Sequence, residues 1–217
     1  MNLLALDLST KTGWSYFEND KLMKVGTFTH KVSNYVSNIK SYKDLPDQYP
    51  WNMMSTAKEI AMDCINLVNI FNYPYMVIEH TEGSSHRFSQ RTLEFIHFAV
   101  LDELARHPHY GWQAGKVKYT LNSDWRRCCK CYISQWPEMV KYNKQISKIK
   151  RSVEKTKSGA RVAKIDGKVV SPWTAKKLSI YIAKTLYPEM AEQILTDDIS
   201  DSILLGRAAI KLGIFGE

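Results

Sequence analysis

A chain of 217 residues and 25.1 kDa is long enough for one domain with a substantial core, and 44% hydrophobic with 24% charged residues excludes a disordered chain. Its net charge of +8 favours a polyanionic partner, while no apolar run approaches the roughly 18 residues of a membrane span. Three of the four cysteines are bunched at Cys128, Cys129 and Cys131, which is no secreted disulfide framework, and the run Leu3-Leu4-Ala5-Leu6 lacks a basic lead and ends at Asp7, unlike a signal peptide. The expectation is a soluble protein of a reducing compartment.

In chain order, Leu3 to Leu8 reads as a short buried strand. Thr12 to Phe17 and Leu22 to Phe28 read as two more, joined by the polar turn Glu18-Asn19-Asp20-Lys21, so the three predict an antiparallel meander. Trp51 to Phe71 has helical apolar spacing through Ile60, Ala61, Cys64, Leu67 and Val68, and Pro74 ends it before the strand Tyr75 to Ile78. Ser89 to Arg106 is a second amphipathic helix, followed by the strand Lys116 to Leu121. Asn122 or Ser123 is placed to cap a helix beginning near Trp125. Lys141 to Ser171 is the least core-like stretch, with Asp166-Gly167 as a hairpin turn inside it. A helix follows from Thr174 to about Leu186, and a last one runs from about Ile199 to Leu212. This order predicts a mixed α/β domain spanning residues 1–217, with helices covering a central sheet and a basic insertion at 131–171.

The charge is unevenly spread. Between Lys116 and Lys184 stand 18 basic and 4 acidic residues, a balance of +14, whereas the remainder carries −6. Such a segment is an electrostatic footprint for phosphates, or else a solvated lysine-rich surface. Trp125, Trp136, Tyr142 and Trp173 interleave with the cations, as packed or as base-stacking aromatics.

Four carboxylates sit at element ends. Asp7 interrupts an apolar strand, Glu79 ends another, and Asp198 and Asp201 stand three apart at the start of the last helix. A carboxylate in a buried strand is costly unless it is paired or metal-bound. Several such groups converging suit hard divalent cations in phosphodiester hydrolysis. Asp197 leaves a second register open, because Asp197 and Ser200 are also three apart, but Asp198 with Asp201 is preferred because it supplies two acids.

On these residues the chain resembles the RuvC family of Holliday-junction resolvases, in the RNase H-like superfamily. Leu4 to Ser15 is similar to that family's opening strand pair, Met76-Val77-Ile78-Glu79 to its second acidic strand, Asp198 to Gly206 to its terminal helix, and Leu121 to Arg127 to its strand-to-helix passage. The resemblance implies an RNase H-like mixed sheet, three antiparallel strands then parallel ones, flanked by helices and carrying a basic hairpin insertion. It implies that Asp7, Glu79, Asp198 and Asp201 ligate two Mg²⁺ ions, which Mn²⁺ can replace. One ion would activate water and the other stabilise the leaving 3′ oxygen, so that cleavage leaves 5′ phosphates. It also implies that a homodimer resolves four-way or otherwise branched double-stranded DNA in recombination and repair, with the long helix 51–71 or 89–106 as dimer surface. Lys176 and Lys177 would lie near the scissile phosphate; Arg126, Arg127 and Lys130 would line the duplex; Arg87 and Phe88 would probe the junction. The long basic insertion is more like phage or viral members, placing the protein in the cytoplasm of a bacterium or an infected host cell.

Other readings compete. Cys128 and Cys131 form one C-x₂-C hook, but with no second pair they read as buried thiols on a helix rather than a zinc site. Asp7-Leu8-Ser9-Thr10 also resembles the phosphate loop of actin-like ATPases, which need a second glycine-rich loop that ten scattered glycines do not supply. A third reading is an RNase H-like module that holds branched DNA without cutting it, against which the four acids weigh.

Overall fold

A computed structural model of the chain describes residues 1–31, 50–80, 87–110, 115–153 and 161–216, with Arg87 and Phe88 described by backbone alone. Strands β1 (Asn2–Asp7), β2 (Lys11–Glu18) and β3 (Lys21–Thr29) form the antiparallel meander expected from the three short runs and the polar turn. Between β2 and β3, Asn19 and Asp20 take φ of 47° and 65°, left-handed values that Asn and Asp tolerate better than other residues with a Cβ. Helix α1 (Trp51–Ile70) leads to β4 (Tyr75–His80), which joins β1 in parallel. Helix α2 (Arg87–Arg106) leads to β5 (Val117–Leu121), which joins β4 in parallel. The sheet order is β3-β2-β1-β4-β5, the mixed antiparallel-then-parallel arrangement expected from the sequence.

Side-chain parity divides the core into two layers. Along β1, Leu3 and Ala5 point to one face, and Leu4 and Leu6 to the other. The second face is covered by α1 and α2, through Ile60, Cys64, Val68, Ile96 and Val100. The first is covered by α3 (Asn122–Cys128), α5 (Ala175–Leu186) and above all α6 (Asp197–Lys211), whose Ile203, Leu204 and Leu205 are fully buried. Asp7 shares its parity with Leu3 and Ala5, and Glu79 shares its parity with Val77. Both carboxylates therefore face the α6 side.

Two glycines let α6 come this close. A Cβ on Gly13 of β2 would lie 1.9 Å from the Asp198 carbonyl oxygen, and one on Gly206 would lie 2.3 Å from the Phe17 ring. The hydroxyl of Ser15 pins the contact by donating to the Ser202 carbonyl at 2.9 Å.

Three elements depart from the sequence reading. Helix α3 begins at Asn122 itself, with Leu121 as its extended N-cap, so Asn122 is spent elsewhere than on a cap. Helix α6 begins at Asp197, capped by the Thr196 hydroxyl, two residues before the expected start. Inside the insertion, Pro137–Ser152 forms a four-turn helix, α4, that apolar spacing does not announce because it buries only Met139 and Ile146. The hairpin follows as β6 (Ala163–Ile165) and β7 (Lys168–Val170), turning on Asp166 and Gly167 with φ of 50° and 75°. No described helix is long and apolar enough to cross a membrane.

Gly13→Ala is expected to destabilise the protein by about 2–3 kcal/mol, because neither backbone at the contact can yield cheaply. Gly115→Ala, where an added Cβ meets nothing within 4 Å, is expected to stay within about 0.5 kcal/mol. Urea unfolding of the two variants checks the difference.

Candidate active site

Asp7 and Glu79 are neighbours by register. Leu6 of β1 is paired with Ile78 of β4, and each carboxylate stands one residue beyond that pair. On the other side Asp7 is registered with Gly13, the residue against which the first turn of α6 is pressed. That contact brings Asp198 and Asp201 to the same place. The four carboxylates come from three elements and act on one another: burial first, then Glu79, Asp201 and Asp198, push the Asp7 carboxyl well above its ordinary range, against the pull of Arg126. Burial also raises Glu79 and Asp201.

One turn of α3 holds two of the four. Asn122 Nδ2 donates to Glu79 Oε1 at 2.5 Å, and Trp125 Nε1 donates to Glu79 Oε2 at 2.9 Å. Arg126 Nε donates to Asn122 Oδ1 at 2.8 Å, and its Nη2 donates to Asp201 Oδ2 at 2.9 Å. The guanidinium lies 4.3 Å from the centre of the Trp125 ring, which is itself fully buried. Residues at i, i+3 and i+4 share a helix face, so the sequence spacing Asn122, Trp125, Arg126 contains this clamp once the docking of α3 is known.

The cations expected to touch DNA divide into three groups. Arg126 is turned inward onto Asp201 and Asn122, with both partners of the ion pair largely buried, so its place is in the acid cluster rather than along a duplex. Arg127 and Lys130 are exposed. Lys176 reaches from the start of α5 to Asp197, while Lys177 is turned back onto the Ser171 hydroxyl and the Pro172 carbonyl. Burial raises Asp197, but the Lys176 hydrogen bond and its charge outweigh this and leave Asp197 below the ordinary carboxylate range. Asp197 is thus engaged outward, and Asp198 and Asp201 are the pair that Asp7 senses. The side chains of Arg87 and Phe88 lie outside the described residues.

Lys11, which the sequence reading passes over, stands 2.6 Å from Asp198 Oδ2, an ion pair by distance though off the hydrogen-bonding axis. Ser179 of α5 lowers Asp201 from nearby, without meeting hydrogen-bond geometry. The thiols of Cys129 and Cys131 are pushed up to about 12 by burial, and Cys129 Sγ donates to the Leu204 carbonyl at 3.2 Å. They pack between α3 and α6 as protonated thiols.

The donor set fits a hard divalent cation in its chemistry. It has four carboxylates around one place, three of them raised by burial, and Asp201 Oδ1 is buried without a hydrogen-bond partner. The geometry is looser than the chemistry. Among the described residues no three His, Cys, Asp or Glu side chains come together closely enough to hold an ion, and Arg126 and Lys11 supply positive charge to Asp201 and Asp198.

Among solved structures, the chain is similar to Thermus thermophilus RuvC in complex with a Holliday junction substrate, with a TM-score of 0.50 and 9% identity over 100% of this chain and 96% of that one. The fold is RuvC-like. A second Thermus thermophilus RuvC structure matches with a TM-score of 0.51 and 8% identity, over 98% of this chain and 97% of that one. No protein-family profile and no curated protein matches the sequence. In this RuvC-like frame the acids Asp7 and Glu79 occupy two adjacent parallel strands, and Asp198 and Asp201 the helix packed across them.

The raised carboxyls give stability a definite slope with pH. In the folded chain Asp7, Glu79 and Asp201 keep protons at pH values where the unfolded chain, near about pH 4, has released them. Metal-free stability therefore falls as pH rises above that value. Asp7→Asn is expected to raise the unfolding free energy of chelator-treated protein by about 1–2 kcal/mol at pH 7, a gain that vanishes near about pH 4. Urea titrations at the two pH values measure it.

The ion pair of Arg126 with Asp201 is expected to show in a double-mutant cycle. Arg126→Met alone should cost about 3–5 kcal/mol at pH 7, because it strands a buried carboxylate. Adding Asp201→Asn should recover part of that loss, with a coupling energy of about 1–3 kcal/mol. Additive losses in urea unfolding would remove Arg126 as the counter-charge.

Proposed function

We propose that the chain is a metal-dependent, structure-selective DNA endonuclease that resolves four-way junctions or other branched duplexes. The observation that carries this reading is that β1, β4 and the first turns of α6 bring Asp7, Glu79, Asp198 and Asp201 to one side of a RuvC-like fold. One of the similar structures is a RuvC in complex with a Holliday junction substrate, and the +14 segment supplies this chain with charge for such a polyanion.

In this reading Asp7, Glu79, Asp198 and Asp201 would hold the divalent ions. Bound Mg²⁺ or Mn²⁺ supplies activation of the attacking water and stabilisation of the leaving 3′ oxygen. The chain's own groups do the rest. Asn122 and Trp125 fix the rotamer of Glu79 by engaging both of its oxygens. Arg126 orients Asp201 and pulls its carboxyl toward the ionised form, against the effect of burial. Lys176, on an exposed stem beside Asp197, is placed to meet a phosphate entering the cluster. A homodimer would put two such sites on symmetric strands. The apolar groove between α1 and α2, a cavity of about 600 Å³ lined by Trp51, Met54, Phe95 and Phe98, is the surface proposed for it. The length and charge of the insertion are the ground for grouping the chain with phage or viral members.

A second reading, a module that binds branched DNA without cutting, is favoured by the guanidinium of Arg126 within the acid cluster. The two are separated by incubating a synthetic four-way junction with wild-type and Asp7→Asn protein, with and without Mg²⁺. The nuclease is expected to give paired nicks with 5′ phosphates that require Mg²⁺ or Mn²⁺. Asp7→Asn should lose roughly 10²-fold or more in rate, corresponding to several kcal/mol of transition-state stabilisation. Tight binding with no cutting under either metal would establish the binding module, and equal cutting of linear duplex would remove the structural selectivity.

A further inference from the structure

Helix α4 has two faces of opposite character. Toward the protein, Met139 and Ile146 are buried, and Asn143 clamps one residue of the facing loop. Its Oδ1 accepts from the Trp173 amide at 2.7 Å, and its Nδ2 donates to the Trp173 carbonyl at 3.0 Å. Toward solvent stand Lys141, Lys144, Lys148 and Arg151, all exposed, at spacings of three, four and three. That pattern is one stripe along the helix, about 15 Å long at 1.5 Å per residue.

Among the described residues no carboxylate answers this charge. Glu138, in the first turn, is the one acid of the helix, and among the described residues none of the four cations is paired with a carboxylate. Like charges at i,i+3 and i,i+4 repel and oppose the helix. With two buried side chains to offset that repulsion, the stripe is a feature that a polyanion would stabilise and that packing alone does not require.

We propose that the α4 stripe is a phosphate-binding ridge for a duplex DNA arm, gripping the backbone away from the acid cluster. This rests on the nuclease reading and adds a second contact to it. Duplex DNA carries a negative charge for about every 1.7 Å of its axis, so a ridge of about 15 Å faces several phosphates at once. Lysine and arginine on exposed stems bind them through counterion release and read no sequence. The ridge is joined to the cluster only at a distance. Asn143 holds Trp173 just before α5, and Lys176 of α5 holds Asp197 of α6. The stripe therefore governs affinity and leaves the chemical step untouched.

The test compares wild-type protein with the variant carrying Lys141→Gln, Lys144→Gln, Lys148→Gln and Arg151→Gln, its fold checked by circular dichroism. Binding to a long-armed four-way junction is measured in EDTA over a salt series, and turnover in Mg²⁺ at saturating DNA. The expected result is a slope of log affinity against log salt that is flatter by about 3 to 4, a binding loss of roughly 10–100-fold at low salt, and unchanged turnover. Lys144→Gln with Lys148→Gln, a milder change should the fourfold variant lose its fold, is expected to flatten the slope by about 2. Lys21→Gln with Lys24→Gln on β3 should leave it as it is. An unchanged slope in the stripe variants overturns the inference, as does a loss confined to turnover. Binding of the stripe to anionic phospholipid vesicles and not to duplex DNA overturns it too. Wild-type protein that does not bind the junction overturns the nuclease reading beneath it, whereas wild-type binding matched by the variants removes only the ridge.

Discussion

Carboxylates brought together out of water repel one another, and the elements around Asp7 are arranged about that repulsion. Strand parity sends Asp7 and Glu79 to one face of the sheet, and the same parity sends Leu3, Ala5 and Val77 there to hold α6. The packing that buries the acids is thus the packing that adds two more from α6. Arg126 offsets the accumulated charge at Asp201, and Lys11 does so at Asp198.

Helix α3 is the hinge between chemistry and support. Seven residues long, it presents Asn122, Trp125 and Arg126 on one face, and all three are engaged with the acids or with each other. Just past its C-terminal end lie the raised thiols of Cys129 and Cys131, Cys129 bonded to the Leu204 carbonyl of α6. The cysteine cluster is therefore part of the wall behind the acids.

Much of the fold was legible in the residues. Short apolar runs marked the three opening strands, and turn residues marked two hairpins, Asn19-Asp20 between β2 and β3 and Asp166-Gly167 between β6 and β7. A lone carboxylate in an apolar strand singled out Asp7, because such a placement is costly without a partner. What stayed hidden depended on docking. Arg126 belongs to a basic run, and nothing in its neighbours says that it turns inward; that follows from Trp125 sinking into the core and carrying the helix face with it. That Asp197 is taken up by Lys176 of α5 is likewise a product of docking. Helix α4 escaped notice because a helix that buries two side chains leaves almost no apolar period to read.

The contact between β2 and α6 joins residues 187 positions apart, Ser15 with Ser202. Half of the acid cluster is therefore out of reach of the other half until synthesis has passed residue 201. Contacts of such separation form late, after the loop-closure entropy of nearly the whole chain has been met. A chain that stops short of α6 holds Asp7 and Glu79 without their counterparts. The four acids cannot act together before residue 201 has been added.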